Sequence, residues 1–189
     1  YWNDDQSKLD RFYSTLNQSD YIFISSNRQW GTTTRVPEKY PLTTQFYKSL
    51  LGCPKEQDIY WCYSVAKPGL FKGELGFELI KVFESYPSLG EFKINDQFSE
   101  EAFTVYDHPK VLIFKKSKNY EPTQVLNILS AIDLSKVLSL TPAKVPDYPA
   151  NLELPPQKLT INSQGGTWAD LFKRDSIVNS SPLLSIALW

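Results

Sequence analysis

Phe103-Thr104-Val105-Tyr106-Asp107-His108-Pro109-Lys110-Val111-Leu112-Ile113-Phe114-Lys115-Lys116 is the stretch that decides the fold. Two β-rich runs flank a polar turn, Asp107 to Lys110, in which Pro109 fixes one backbone angle. The pattern predicts a core β-hairpin. Its second run, Val111 to Phe114, is unbroken and apolar and is stopped by two lysines. Such a run reads as a strand covered on both faces, near the middle of a sheet. Only Asp107 and His108, at the tip, carry side chains suited to chemistry.

Upstream, Leu9, Phe12, Tyr13 and Leu16 recur at i, i+3, i+4, i+7 and predict an amphipathic helix over residues 7–18, with Asp4 and Asp5 at its start. Tyr21-Ile22-Phe23-Ile24-Ser25 follows as a second doubly buried strand. Thr43 or Thr44 is placed to cap a helix running to Leu51, which buries Phe46, Tyr47, Leu50 and Leu51. Residues 52–73 read as an aromatic insertion loop with little periodicity, and Phe77 to Ser85 as a strand with one wetter face. Phe92-Lys93-Ile94 suits a short edge strand, and Pro122 and Thr123 open a helix that turns Val125, Leu126, Ile128, Leu129 and Ile132 inward. A helix running straight into an apolar strand points to an α/β layer fold. The expectation is a three-layer mixed sheet, an incomplete Rossmann-like unit over residues 1–133, carrying the antiparallel hairpin. Residues 134–189 read as an extended Pro-rich tail with a short amphipathic helix near Trp168, Leu171 and Phe172.

Composition narrows the function. The net charge is −1, from 20 basic and 21 acidic residues, so no basic face points to nucleic acid. There is no phosphate-loop glycine signature, and no cofactor is expected. Two cysteines spaced Cys-x8-Cys with one distant histidine make a poor metal site. Cys53 and Cys62 fit either a disulfide pinching the loop between them, in an oxidising compartment, or two buried thiols. The chain has no methionine and begins at Tyr1, which leads to the expectation of an excised portion of something longer. The final run, Pro182 to Trp189, fits either a packed terminal element or the first turns of a spanning helix.

The candidate ligand-binding residues are Asn27, Arg28, Trp30, Arg35 and His108. The first four lie on a polar loop leaving the carboxyl end of an apolar strand, where open α/β sheets place ligands. Two arginines, an amide and an indole suit a phosphate or a sugar ring; pairing of the arginines with local carboxylates or carbonyls is the competing reading.

Four runs carry a resemblance: Ser25-Ser26-Asn27-Arg28, Arg35-Val36-Pro37-Glu38-Lys39-Tyr40-Pro41-Leu42-Thr43-Thr44, Gly73-Glu74-Leu75-Gly76-Phe77-Glu78-Leu79, and Glu100 through Val111. With Trp2-Asn3-Asp4, they resemble the soluble region of protein O-mannosyltransferase-like, C-type membrane glycosyltransferases, and the tail from Gly165-Gly166-Thr167-Trp168 resembles the join to a second multi-spanning module in fused members. The resemblance leaves out the stretch from Cys53 to Phe71. It implies an extracytoplasmic, non-catalytic accessory domain of an enzyme that transfers sugar from a polyprenyl-phosphate donor. The implied partners are the membrane-spanning part of the same polypeptide, with the polyprenyl-phosphate sugar or a glycan acceptor nearby. The alternative is an independent carbohydrate- or phosphate-binding module. A self-contained enzyme using Asp107 and His108 is a third reading, weakened because adjacent turn residues point apart.

Overall fold

Val111–Lys116 is the strand around which the chain is assembled. The computed structural model describes residues 3–97 and 103–139. In chain order the elements are α1 (Gln6–Gln18), β1 (Tyr21–Ile24), α2 (Arg28–Gly31), α3 (Pro41–Leu51), α4 (Ile59–Val65), β2 (Phe77–Phe83), β3 (Ser88–Leu89), β4 (Phe92–Lys93), β5 (Val111–Lys116) and α5 (Pro122–Ser130). A 3-10 turn, Thr33–Arg35, follows α2, and a π-helical turn, Phe103–Asp107, precedes β5. The sheet order is β1-β5-β2 with both ladders antiparallel, and β3-β4 is a separate two-stranded hairpin. The mixed helix-and-strand class read from the sequence is the observed one, and β5 is the middle strand. The Rossmann-like detail is not what the three strands of the main sheet form, because none of them pairs in parallel.

The predicted hairpin over 103–116 does not form. Residues before the turn coil into the π-helical turn, while β5 spends its two edges on β1 and β2. The side chains explain why. Thr104 accepts a hydrogen bond from Asn27 Nδ2 (2.6 Å), and His108 is gripped by Asp96, so the segment is held from outside the sheet.

Burial on both faces is also corrected. Leu112 and Phe114 face inward beside Ile22, Ile24, Leu79 and Val82, and pack with Leu9 and Leu16 of α1, Leu42, Phe46 and Leu50 of α3, and Val125 and Leu129 of α5. On the other face Tyr21, Phe23 and Phe83 are exposed. Ile80 sits at a register shift between Leu79 and Lys81, a bulge that re-aims the end of β2.

The helices start where the chain supplies acceptors. Asp5 caps α1 by accepting from Lys8 N (2.8 Å). Asp4, expected beside it at the same helix, reaches instead to α3. Its carboxylate accepts from Thr43 N (2.9 Å) and Thr43 Oγ1 (2.6 Å), and Lys8 Nζ lies 2.8 Å away. That corrects the reading of Thr43 or Thr44 as a cap: α3 starts at Pro41, and its first-turn amide is satisfied by a buried carboxylate from outside the helix. Residues 52–73 are no loose loop either. Asp58 caps α4 by accepting from Tyr60 N and Trp61 N, and Cys53 and Cys62 are joined as a disulfide. Gly52, at φ +79°, ends α3, and a Cβ there would lie 2.0 Å from the Lys72 carbonyl oxygen where the insertion returns.

Residues 1–139 form one compact unit. The short helix near Trp168 and the Pro182-to-Trp189 run lie outside the described residues.

Two substitutions test this packing. Gly52→Ala should cost more than about 1 kcal/mol, since the backbone conformation and the space both refuse a Cβ. Leu42→Ala, at a fully buried site, should cost about 2–5 kcal/mol. Both are read by urea unfolding, with Phe23→Ser on the exposed face as a near-neutral control.

Candidate functional site

Three segments meet at the carboxyl end of β1. They are the turn into α2, the wall made by α4, and the return of the β3–β4 hairpin into Asp96 and Gln97. Between them lies a part-enclosed cavity lined by Asn27, Trp30, Tyr60, Tyr63, Gln97 and Lys110, among others, with about 20 Å³ open to the centre of a water molecule. Its walls are aromatic because the insertion folds back on the polar turn. Trp30 stacks on Tyr63 with ring centroids 4.6 Å apart and meets Tyr60 edge-on at 4.7 Å. Tyr60 donates from its hydroxyl to the Gly31 carbonyl (2.8 Å), and Tyr63 to the Tyr47 carbonyl (2.8 Å). Complete burial, and then the neighbouring Tyr47, push the Tyr63 phenol well above its ordinary value, and burial pushes Tyr47 up to about 12. These phenols stay neutral and structural.

The polar side of the cavity is less complete. Asn27 Oδ1, Trp30 Nε1 and Gln97 Nε2 are buried without a hydrogen-bond partner. Lys110 crosses the floor and donates to the Ser64 carbonyl (2.6 Å) and to Glu84 Oε1 (2.7 Å). Burial pulls its ammonium below the usual lysine value, with Glu84 opposing. Burial also pushes on Glu84, upward, but hydrogen bonds from Lys110 and Tyr86 with the fields of Lys110 and Lys67 hold it below the usual carboxylate value. The lysine suffers the larger desolvation because its side chain is the more deeply buried of the two. At 2.7 Å the two groups compensate each other as an ion pair.

His108 is the second cluster. Its Nδ1 lies 2.9 Å from Asp107 Oδ2 and its Nε2 2.5 Å from Asp96 Oδ2. Asp107 is therefore an orienting neighbour on one ring nitrogen, and both nitrogens are occupied. The hydrogen bond to Asp107 raises the imidazole above its ordinary value; desolvation opposes this, and the Asp96 bond reinforces it. A general base needs a free nitrogen facing a substrate, and this ring presents none. Its work is to tie Asp96, at the foot of the hairpin, to the turn before β5.

The remaining sequence candidates scatter. Arg28 is exposed and donates from Nη1 to the Tyr106 hydroxyl (3.2 Å). The Arg35 guanidinium lies 5.2 Å over the Tyr60 ring. Trp30, only 4% exposed, offers no open face for a sugar to stack on. Asn27 and Trp30 do share the cavity, as expected for residues leaving β1. Tyr60, Tyr63, Gln97 and Lys110 were missed as cavity residues; the aromatic cluster of the insertion was visible in the sequence, but nothing in its spacing says it folds onto Trp30. Among the described residues no group of three or more His, Cys, Asp or Glu could hold a metal, and no helix is long and apolar enough to cross a membrane. No protein family, curated protein or solved structure matches the chain.

His108 is the chain's one histidine, so its titration is readable by NMR without assignment ambiguity. Its midpoint should lie above the ordinary value of ~6.5. Asp107→Asn and Asp96→Asn should each lower it. Because the folded value is the raised one, the stabilisation is fully present below ~6.5 and is lost as pH climbs through the folded midpoint. A wild-type midpoint at or below ~6.5 would contradict the geometry.

Proposed function

We propose that this chain is a non-catalytic accessory domain of a membrane glycosyltransferase, seated on the membrane surface by the β3–β4 hairpin. The observation that carries the reading is the composition of that hairpin's face. Ser88 pairs with Lys93 and Leu89 with Phe92, which places Leu89, Phe92 and Ile94 on one side. They are 85%, 71% and 54% exposed. A two-stranded ribbon is marginal in water by itself, and three large apolar side chains left in solvent mark a contact surface. The ribbon is anchored at its base by the Asp96–His108 and Glu84–Lys110 pairs, so it is presented on a fixed footing.

Other features are consistent with the reading. The Cys53–Cys62 disulfide suits an extracytoplasmic compartment. The residues carrying the glycosyltransferase resemblance do scaffolding work: Asp4 caps α3 at Thr43, and Gly73 to Leu79 lead into β2. Phosphate capture is not favoured, since Arg28 and Arg35 spend themselves on Tyr106 and Tyr60.

Liposome co-sedimentation tests the proposal. The wild-type chain should partition to phosphatidylcholine/phosphatidylglycerol vesicles, and Leu89→Asp/Phe92→Asp should weaken partitioning by more than ~100-fold, as expected from losing two side chains at about 1.5–3 kcal/mol each. Identical partitioning of the two proteins, or none by the wild type, would remove the hairpin as the membrane contact.

A further inference from the structure

The three unpartnered atoms of the cavity form a set. Trp30 Nε1 and Gln97 Nε2 are donors and Asn27 Oδ1 is an acceptor; Asn27 and Trp30 belong to the turn into α2, Gln97 to the return of the hairpin, and all three residues line one space. A hydroxyl oxygen is the complement, because it accepts two hydrogen bonds and donates one. The space fits a single such atom: roughly 10–15 Å³ of this measure holds one water-sized oxygen, and about 20 Å³ is available. The charge also selects. Lys110 lies at the cavity but is neutralised by Glu84 and bonded to the Ser64 carbonyl, so a carboxylate or phosphate oxygen would find no uncompensated cation. Burying three polar atoms without partners is unfavourable, and an incoming oxygen that bonds to them relieves this.

We propose that Asn27, Trp30 and Gln97 form a subsite for one neutral hydroxyl group of a polyol or sugar, occupied by water when no such ligand is present. Tyr60, Tyr63 and Trp30 line the rest of the space and leave room for the hydroxyl oxygen alone, so the carbon skeleton stays outside it. The subsite goes beyond the membrane reading and stands independently of it, since it involves no residue of the hairpin's apolar face.

The experiment follows the Trp30 indole N–H by NMR, assigned by its disappearance in Trp30→Phe. Without ligand it should show a cross-peak to a long-lived water. Glycerol and methyl glucoside should shift the indole saturably with millimolar midpoints and erase the water cross-peak, while inorganic phosphate and acetate should not. Gln97→Leu should weaken the response at least fivefold at an unchanged thermal midpoint, which separates lost binding from lost folding. A water cross-peak that persists with no saturable shift from either hydroxyl compound would overturn the subsite, as would phosphate acting equally well. Liposome partitioning is unaffected by Gln97→Leu on this account, so the two proposals fail separately.

Discussion

Each backbone amide and carbonyl of β5 must find a partner on one side or the other, and both sides are supplied by segments remote in the chain. β1 lies some ninety residues upstream, and β2 returns from behind the insertion. Because side chains alternate along a strand, the register that places Leu112 and Phe114 inward also places Ile24 and Leu79 inward, and a one-residue slip would expose all four. That requirement drags α1 beneath the sheet, since only two residues, Ser19 and Asp20, separate it from β1. Lys116 and Tyr120 then secure the end of α1 by donating to Asn17 through Nζ and the phenol oxygen.

The parts of this arrangement legible from sequence are those governed by local periodicity. Leu9 and Leu16, or Val125 and Leu129, repeat at the helical period because one face of one helix is buried, and the periodicity needs no knowledge of the partner. The segment before Asp107 was not legible for the converse reason. Phe103-Thr104-Val105-Tyr106 has strand residues, but strand preference records the fit of side chains to a half-buried pleated surface, and β5 had no free edge to offer. Tyr21 and Phe23 mislead in the same way: an all-apolar run reads as doubly covered, yet its outer half faces solvent among the described residues.

Asp4 shows a third kind of illegibility. Two successive acidic residues before a helix look like one cap and one dipole partner. Only the tertiary structure separates them, sending Asp5 to its own helix and Asp4, 3% exposed, to Thr43 across the core. A buried carboxylate is tolerable only when its oxygens are paired, and here an amide, a hydroxyl and the Lys8 ammonium do that. Asp4 and Lys110 find partners within the fold, whereas Asn27 Oδ1, Trp30 Nε1 and Gln97 Nε2 do not, nor do Thr34 Oγ1, Thr44 Oγ1 and Asp96 Oδ1 away from the cavity; what distinguishes the first three is that their residues line one space.

The hairpin and the cavity are joined by adjacency in the chain. Gln97 follows directly on Asp96, whose carboxylate is held by the imidazole of His108. The clasp that fixes the foot of the ribbon therefore also sets where the Gln97 amide can sit. On the opposite wall, Asn27 hydrogen-bonds Thr104 within the π-helical turn that leads to His108. One short segment, 103–108, thus lines the cavity through Thr104 and, through His108, holds the residue before Gln97. Its refusal to become a strand has a physical purpose in the assembly: a strand there would alternate its side chains up and down, whereas a coiled turn brings Thr104 to Asn27 and His108 to Asp96. The residues that defeated the simple hairpin reading are the same ones that connect the exposed apolar ribbon to the polar interior.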